Sequence, residues 1–323
     1  MTISRRTLLT TAGALAASPM LPAYAQAWPS RPVRIIVGTA AGGSPDIVSR
    51  LLGEKFSVRL GQSFVVENNT QGAGIVAEQS VNKSAPDGHA MAMLTAGYPG
   101  LAALHQGLAF DPLDGFSFIS GVCGYPFAYS VAPNSPIKSF QDLLERAKAK
   151  PDTLTYTINA QGSIHHLLTA WIGMEAGAPM IPIPYRGASP AITDVLGGRV
   201  DVMVEPATSA FPRARAGQVR LLAVSSKGRY PLMPEAPTIE EFVPGVTFMS
   251  WLGYAMAPKT PRAIVARMNA EIRHALALAD VQQKLVEGGN VASPSTPEEF
   301  RALVAREIEI WGRVIAAAGI RAG

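Results

Sequence analysis

Short apolar runs alternate along this chain with segments whose apolar positions recur every three or four residues. Residues 33–37 (VRIIV) form the first apolar run. Over residues 46–60 the apolar side chains Ile47, Val48, Leu51, Leu52 and Phe56 fall on one face of a helix. Residues 64–67 read as a second strand. After the turn Pro86-Asp87-Gly88, residues 90–95 read as a third. The middle of the chain repeats this style. Ser139 caps a helix carrying Leu143, Leu144 and Ala147, and Pro151-Asp152 turns into a strand over 154–158. A helix over 167–176 and a strand over 181–185 follow. Ser189-Pro190 then supplies an N-cap with proline at the first helical position, and Gly197-Gly198 ends that helix. Residues 200–204 and 221–224 are further strands. In the tail, Thr260-Pro261 opens a helix with Ile264, Val265, Met268, Ile272 and Leu276 on one face. Thr296-Pro297-Glu298-Glu299 is a capping box that starts another, carrying Phe300, Leu303, Val304, Ile308, Trp311, Val314 and Ile315.

Strands alternating with helices place the chain in the α/β class, with mixed, mainly parallel sheets flanked by helices. No internal repeat and no low-complexity linker interrupts the pattern. Two apolar, strand-like segments, 127–132 and 249–257, are the candidate crossings between two lobes. A second lobe over 125–251 is then inserted into a first built from 28–124 plus 252–323.

Residues 1–27 carry no such alternation. Arg5-Arg6 precede a mildly apolar stretch over 8–21, and Ala23-Tyr24-Ala25 has the A-x-A form of a signal-peptidase site. The stretch falls short of the ~20 strongly apolar residues that span a bilayer. The segment is therefore expected to be an export signal, cleaved near Ala25 or Ala27, for the twin-arginine route or the general secretory one. The formal charge is +4, and two of the positive charges belong to Arg5 and Arg6. The remainder is close to neutral and has no Lys/Arg run, which argues against a nucleic-acid partner. The single cysteine, Cys123, rules out an internal disulfide and a cysteine-based zinc site.

No reaction is assembled by motif. The chain has neither G-x-S-x-G nor H-E-x-x-H. His165 and His166 are neighbours, so on a helix they diverge and suit no shared metal. His89 reads as a turn residue. What recurs instead is a Gly- and Ser-rich loop between a strand and a helix start. Gly38-Thr39-Ala40-Ala41-Gly42-Gly43-Ser44-Pro45-Asp46 is the first, and Thr95-Ala96-Gly97-Tyr98 the second. Asn159-Ala160-Gln161-Gly162-Ser163 and Tyr185-Arg186-Gly187-Ala188-Ser189 are the third and fourth. Each puts backbone N–H groups at the carboxyl end of a strand, where open α/β sheets bind ligands. A helix N-terminus there favours an anion. The first loop lacks both G-x-G-x-x-G and G-K-[ST], so no nucleotide cofactor is expected, and no metal.

In their order, these loops and several landmarks resemble one family, the Bug-type receptors of tripartite tricarboxylate transporters. The landmarks are Gly42-Gly43-Ser44-Pro45-Asp46, Val66-Glu67-Asn68, Ala85-Pro86-Asp87-Gly88 and Pro184-Tyr185-Arg186-Gly187. Residues 193–201 (TDVLGGRVD) and 295–300 (STPEEF) complete the set. The resemblance implies a type II periplasmic-binding-protein fold, two lobes that close like a flytrap on a carboxylate. It implies a monomer in the periplasm that hands its ligand to a transporter with two membrane subunits. The carboxylate would be held by Ala40, Ala41, Gly42, Gly43, Ser44 and Asp46 with Ala96, Gly97 and Tyr98. The inserted lobe would read the rest of the ligand through Asn159, Gln161, Ser163, Arg186 and Glu205. The family's first loop usually begins Pro-Phe-Pro-Pro, where this chain has Gly38-Thr39-Ala40-Ala41. Glu205 stands where Asp is more usual. Arg186 suits a dicarboxylate; Tyr98, Phe127 and Trp251 suit an aromatic acid if they face the cleft. A periplasmic hydrolase using His166 and Asp46, and a ligand sensor reporting to a signalling kinase, are the alternatives.

Overall fold

The computed structural model describes residues 28–104 and 107–321. The expected export signal lies outside the described residues. In chain order the elements begin with β1 (Val33–Val37), α1 (Ser44–Leu60), β2 (Phe64–Asn68), α2 (Ile75–Asn82), β3 (Ala90–Thr95) and α3 (Gly97–Leu104). Then come β4 (Ser117–Val131), α4 (Phe140–Ala149), β5 (Thr155–Ile158), α5 (Ile164–Ala176), β6 (Ile181–Pro184) and α6 (Ala188–Leu196). The chain continues with β7 (Met203–Pro206), α7 (Ala207–Arg215), β8 (Arg220–Val224) and β9 (Met249–Met256). It finishes with α8 (Arg262–Leu276), α9 (Ala279–Glu287), β10 (Val291–Ala292) and α10 (Pro297–Ala318).

A first sheet runs in the order β2-β1-β3-β9-β4-β10. Its β1, β2 and β3 are parallel, and β9 is antiparallel to both β3 and β4. Strand β4 is 15 residues long and does not stop with that sheet. Its second half pairs antiparallel with β7 and β8. Strand β5 pairs with β6 and bridges Val202 just before β7, so the second sheet reads β6-β5-β7-β4-β8. Both 127–132 and 249–257, read from sequence as crossings, fall largely within strands that serve this junction.

This register decides where the loops go. Thr95, the end of β3, sits opposite Leu252, one residue from the Gly124–Trp251 pair. Pro206, the end of β7, sits opposite Phe127. Because β7 runs against β4, its carboxyl end points back toward the first sheet. The carboxyl edges of the two sheets therefore face one another across the step from Gly124 to Phe127, about 10 Å at the rise of a strand.

Apolar burial ties the halves together. One face of the first sheet packs on α1, α8 and α9 through Val37, Leu52, Phe56, Met268 and Ile272. Another core is continuous from Leu94 and Phe118 to Tyr129, Tyr156 and Leu167. Helix α10 runs through it. Trp311 meets Trp171 of α5 at 5.8 Å and Phe248 at 5.5 Å between ring centroids. Among the described residues no helix is long and apolar enough to cross a membrane.

Two local expectations need correction. Ser189-Pro190 does not open α6. Gly187 is the N-cap, at φ 111°, a backbone conformation that favours glycine, and Ser189 lies inside the first turn. His89 is more than a turn residue: it is buried, and its Nε2 accepts the Ser30 N–H at 3.2 Å.

Candidate functional site

The four loops picked out from sequence all leave the carboxyl ends of parallel strands. The β1–α1 loop is held from within. Asp46 is 3% exposed, accepts the Gly42 N–H at 2.9 Å and takes Arg50 Nε at 3.0 Å. The Arg50 hydrogen bond is the main reason the Asp46 carboxyl titrates below its ordinary value. Arg50 also reaches Asn68 Oδ1 at 3.3 Å, and Asn68 Nδ2 donates to the Thr39 carbonyl at 3.1 Å. Asp46 is thus a strut: it spends one amide of the loop on itself and leaves Ala40, Ala41 and Gly42 exposed at the tip. Gly43 caps α1 in an extended conformation, with Ser44 beginning the helix.

At the β3–α3 turn, two of the named amides are already engaged. The Ala96 N–H donates to the Trp251 carbonyl at 3.0 Å, and Gly97 N–H to Thr95 Oγ1 at 3.3 Å. The Tyr98 ring is 2% exposed, and its hydroxyl donates to the Pro112 carbonyl at 2.6 Å. Phe127 and Trp251 are buried too, and the Trp251 indole N–H goes to Glu307 at 2.9 Å. None of the three offers an open aromatic platform, because each ring completes the core instead.

The facing edge is built on β5, β6 and β7. Asn159 and Gln161 are exposed, and the Gly162 N–H donates to His166 Nδ1 at 3.2 Å. That bond fixes the His166 tautomer, with its proton on the other nitrogen. Ser163 caps α5 without using its side chain. A Cβ on Gly162 would come 2.9 Å from Leu104, so this loop packs against the end of α3. His165 packs edge-on to Phe127 at 4.9 Å, and burial lowers its pKa to about 4. Arg186 is exposed just before Gly187. Glu205 is 2% exposed, one residue from the end of β7, and is ion-paired with Arg213 of α7. Burial, opposed by Arg213, raises its pKa.

Buried polar atoms normally find partners. Among the described residues thirteen buried side-chain atoms do not, and six of them are Thr39 Oγ1, Ser44 Oγ, Ser163 Oγ, His165 Nδ1, Glu205 Oε1 and Arg213 Nε. All six belong to residues in, or paired to, the strand-end segments β1–α1, β5–α5 and β7–α7. Two facing edges that carry unpaired buried donors and acceptors are chemically suited to a small polar guest. Thr39 and Arg213 were not anticipated as contributors, whereas one of His165 and His166 was expected near the cleft at a helix start. Thr39 lay inside a quoted loop, whereas nothing in the sequence pointed to Arg213.

The hydrolase arrangement is not built. His166 is tied to Gly162 and Asp46 to Arg50, and no hydrogen bond joins them. Among the described residues no three His, Cys, Asp or Glu side chains gather to hold a metal ion. Two concavities border the region. One of about 840 Å³ runs along α5 against the end of α10, and of the expected residues only Gln161 lines it. Another, of about 520 Å³, lies between α1 and α9 and is bordered by Ser44. Neither brings the whole expected set together.

Residues 48–320 match the family model described as the tripartite tricarboxylate transporter family receptor. Protein BugT of Bordetella pertussis is 31% identical over 305 residues, 93% of each chain. An R. palustris protein solved with adipate is 31% identical with a TM-score of 0.74, covering 91% of this chain and 99% of that one. MatC of Rhodopseudomonas palustris, solved with bound malate, is 28% identical with a TM-score of 0.71, covering 89% and 100%.

Proposed function

Since the chain belongs to the tripartite tricarboxylate transporter receptor family, we propose that it captures a small carboxylate between its facing sheet edges and delivers it to a membrane transporter. The observation that carries this reading is the set of buried, unpartnered polar atoms on both edges, in Thr39, Ser44, Ser163, His165, Glu205 and Arg213. The lobes are residues 28–124 with 252–323 and the inserted 125–251. The chain works in the periplasm after export directed by residues 1–27, and the receptor is a monomer.

One carboxylate meets the exposed tip of the first loop, where Ala40, Ala41, Gly42, Gly43 and Ser44 surround the N-terminus of α1. Asp46 contributes by holding that loop rather than by touching the anion. At the second turn Ala96, Gly97 and Tyr98 contribute shape. Asn159, Gln161 and Ser163 approach from the other edge, and Arg186 meets a second anionic group. A dicarboxylate fits this better than an aromatic acid, because Tyr98, Phe127 and Trp251 are core. It also agrees with the adipate and malate held by the two solved relatives.

Closure follows by population shift. Contacts made only when the edges approach favour the closed arrangement. Moving a mostly open population to an almost fully closed one takes about 5 kcal/mol of differential binding. Amide bonds to a carboxylate contribute roughly 1.5 to 3 kcal/mol each, so a few are enough. A thermal-shift screen over mono-, di- and tricarboxylates tests the reading, since a ligand bound only by the folded state raises Tm. A dicarboxylate should raise Tm by several degrees and be recovered unchanged. Chemical turnover, or no shift with any acid, would overturn the proposal.

A further inference from the structure

Helices α5 and α10 touch at Trp171 and Trp311, and beside that contact they leave a cavity of about 840 Å³. Ala170 and Gly173 of α5 and Ala317 and Ala318 of α10 are too small to fill it, and Met174 and Met180 extend its apolar wall. Its polar groups are of two kinds. Asp152 and Arg321 are exposed and of opposite charge. Tyr156 and His166 are in the wall, only 2% and 7% exposed. Since His166 Nδ1 accepts the Gly162 N–H, its other nitrogen carries the proton and donates. Burial lowers the His166 pKa and raises that of Tyr156, so the ring stays neutral and the phenol keeps its proton.

Small-molecule sites run from about 300 to 1,000 Å³, mostly apolar with a few placed polar groups. This cavity fits that description, and its chemistry narrows the guest. The two charges cancel and stand in water at the rim. An ion drawn inside would lose its hydration and find no buried counter-charge. The buried wall offers an N–H and an O–H, so the guest's polar end must accept. We propose that the α5–α10 cavity is a second ligand site, for an uncharged, mainly apolar molecule that carries a hydrogen-bond acceptor such as a carbonyl. It stands apart from the carboxylate reading, because of the residues assigned to the acid only Gln161 lines it. Its walls come from α5, within the inserted segment, and from α10, near the end of the chain, so an occupant bridges the two.

Two fluorescent dyes built on naphthalene test this. Propionyl-dimethylaminonaphthalene is neutral and has one carbonyl; anilinonaphthalene sulfonate is an anion. Titration of the intact protein should show a single saturable site for the neutral dye, with the sulfonate bound about tenfold more weakly or worse. Ala170→Phe and Ala318→Phe each fill part of the cavity and should weaken the neutral dye by about tenfold. Ala318 is exposed, so its variant keeps the fold should Ala170→Phe lose it, and circular dichroism checks both. His166→Phe keeps the apolar wall and removes a donor. It should weaken the dye about fivefold and move its emission to the blue, as the carbonyl loses a hydrogen bond. No saturable binding of the neutral dye, equal binding of the sulfonate, or binding unchanged in the filled variants overturns the proposal. So does a dimer in sedimentation that Ala318→Phe breaks, because a second copy would then fill the cavity.

Discussion

Replacing Glu307 by glutamine should make the protein less sensitive to alkaline pH. Glu307 lies on α10, 4% exposed, and accepts the Trp251 indole N–H at 2.9 Å. Burial raises its pKa from 4.5 to about 8. The native protein therefore keeps a proton that the unfolded chain gives up near pH 4.5. As pH rises from there to 8 the unfolded state binds fewer protons than the native one, so stability falls by about 1.4 kcal/mol per pH unit. Above pH 8 both states are ionised and the slope vanishes. The total is about 5 kcal/mol at pH 8. Glutamine cannot ionise but still offers an oxygen to Trp251. The variant should match the parent near pH 5 and exceed it increasingly up to pH 8. Guanidinium denaturation of both proteins at pH 5, 6, 7 and 8, followed by circular dichroism, measures the difference. Glu78 is also buried with a raised pKa, but it is common to both proteins and cancels. Parallel stability curves, or a glutamine variant weaker at pH 8, would refute the reasoning and mean that Glu307 is native as a carboxylate.

Gly253→Ala should cost about 2 to 3 kcal/mol, seen as a lowered Tm, because its Cβ would sit 2.2 Å from the ring of Phe300. Ser163→Ala should weaken carboxylate binding about tenfold by calorimetry and leave the ligand-free Tm unchanged. Its hydroxyl caps nothing and has no partner. Tyr98→Phe should do the opposite: it loses the bond to the Pro112 carbonyl, about 1 kcal/mol of stability, with ligand affinity unchanged within about twofold.

The repeating strands and helices were legible because each has a plain period. The runs at 33–37 and 90–95 coincide with β1 and β3, and α10 begins at the capping box its sequence announces, whereas α8 takes Pro261 rather than Thr260 as its N-cap. Errors arose where local signals compete. Ser189-Pro190 is a strong helix start, yet Gly187 can adopt a positive φ and takes the cap two residues earlier. Helix α7 carries Pro212 in its interior, so propensity gave no reason to expect it, and Arg213 went unnoticed with it. The candidate loops were recognisable as loops, but which of their groups remain free is a tertiary property. Tyr98 follows a glycine turn just as a ligand residue might, and only the position of Pro112 turns it inward. Ala96 loses its amide to Trp251, which lies far along the chain.

Strands β4 and β9 leave and re-enter the first sheet at registered neighbours, Gly124 beside Trp251. Everything from 125 to 250 is thus a loop pinched shut at its base by a two-stranded ribbon. Such a ribbon twists or bows as one strip, because shearing one strand past the other would break its ladder. Motion at this neck is confined to a narrow set of directions. Under the proposed closure, a cysteine pair cross-linking the two strands beside Gly124 should leave the movement intact, while a bulky insertion in only one of them should block it.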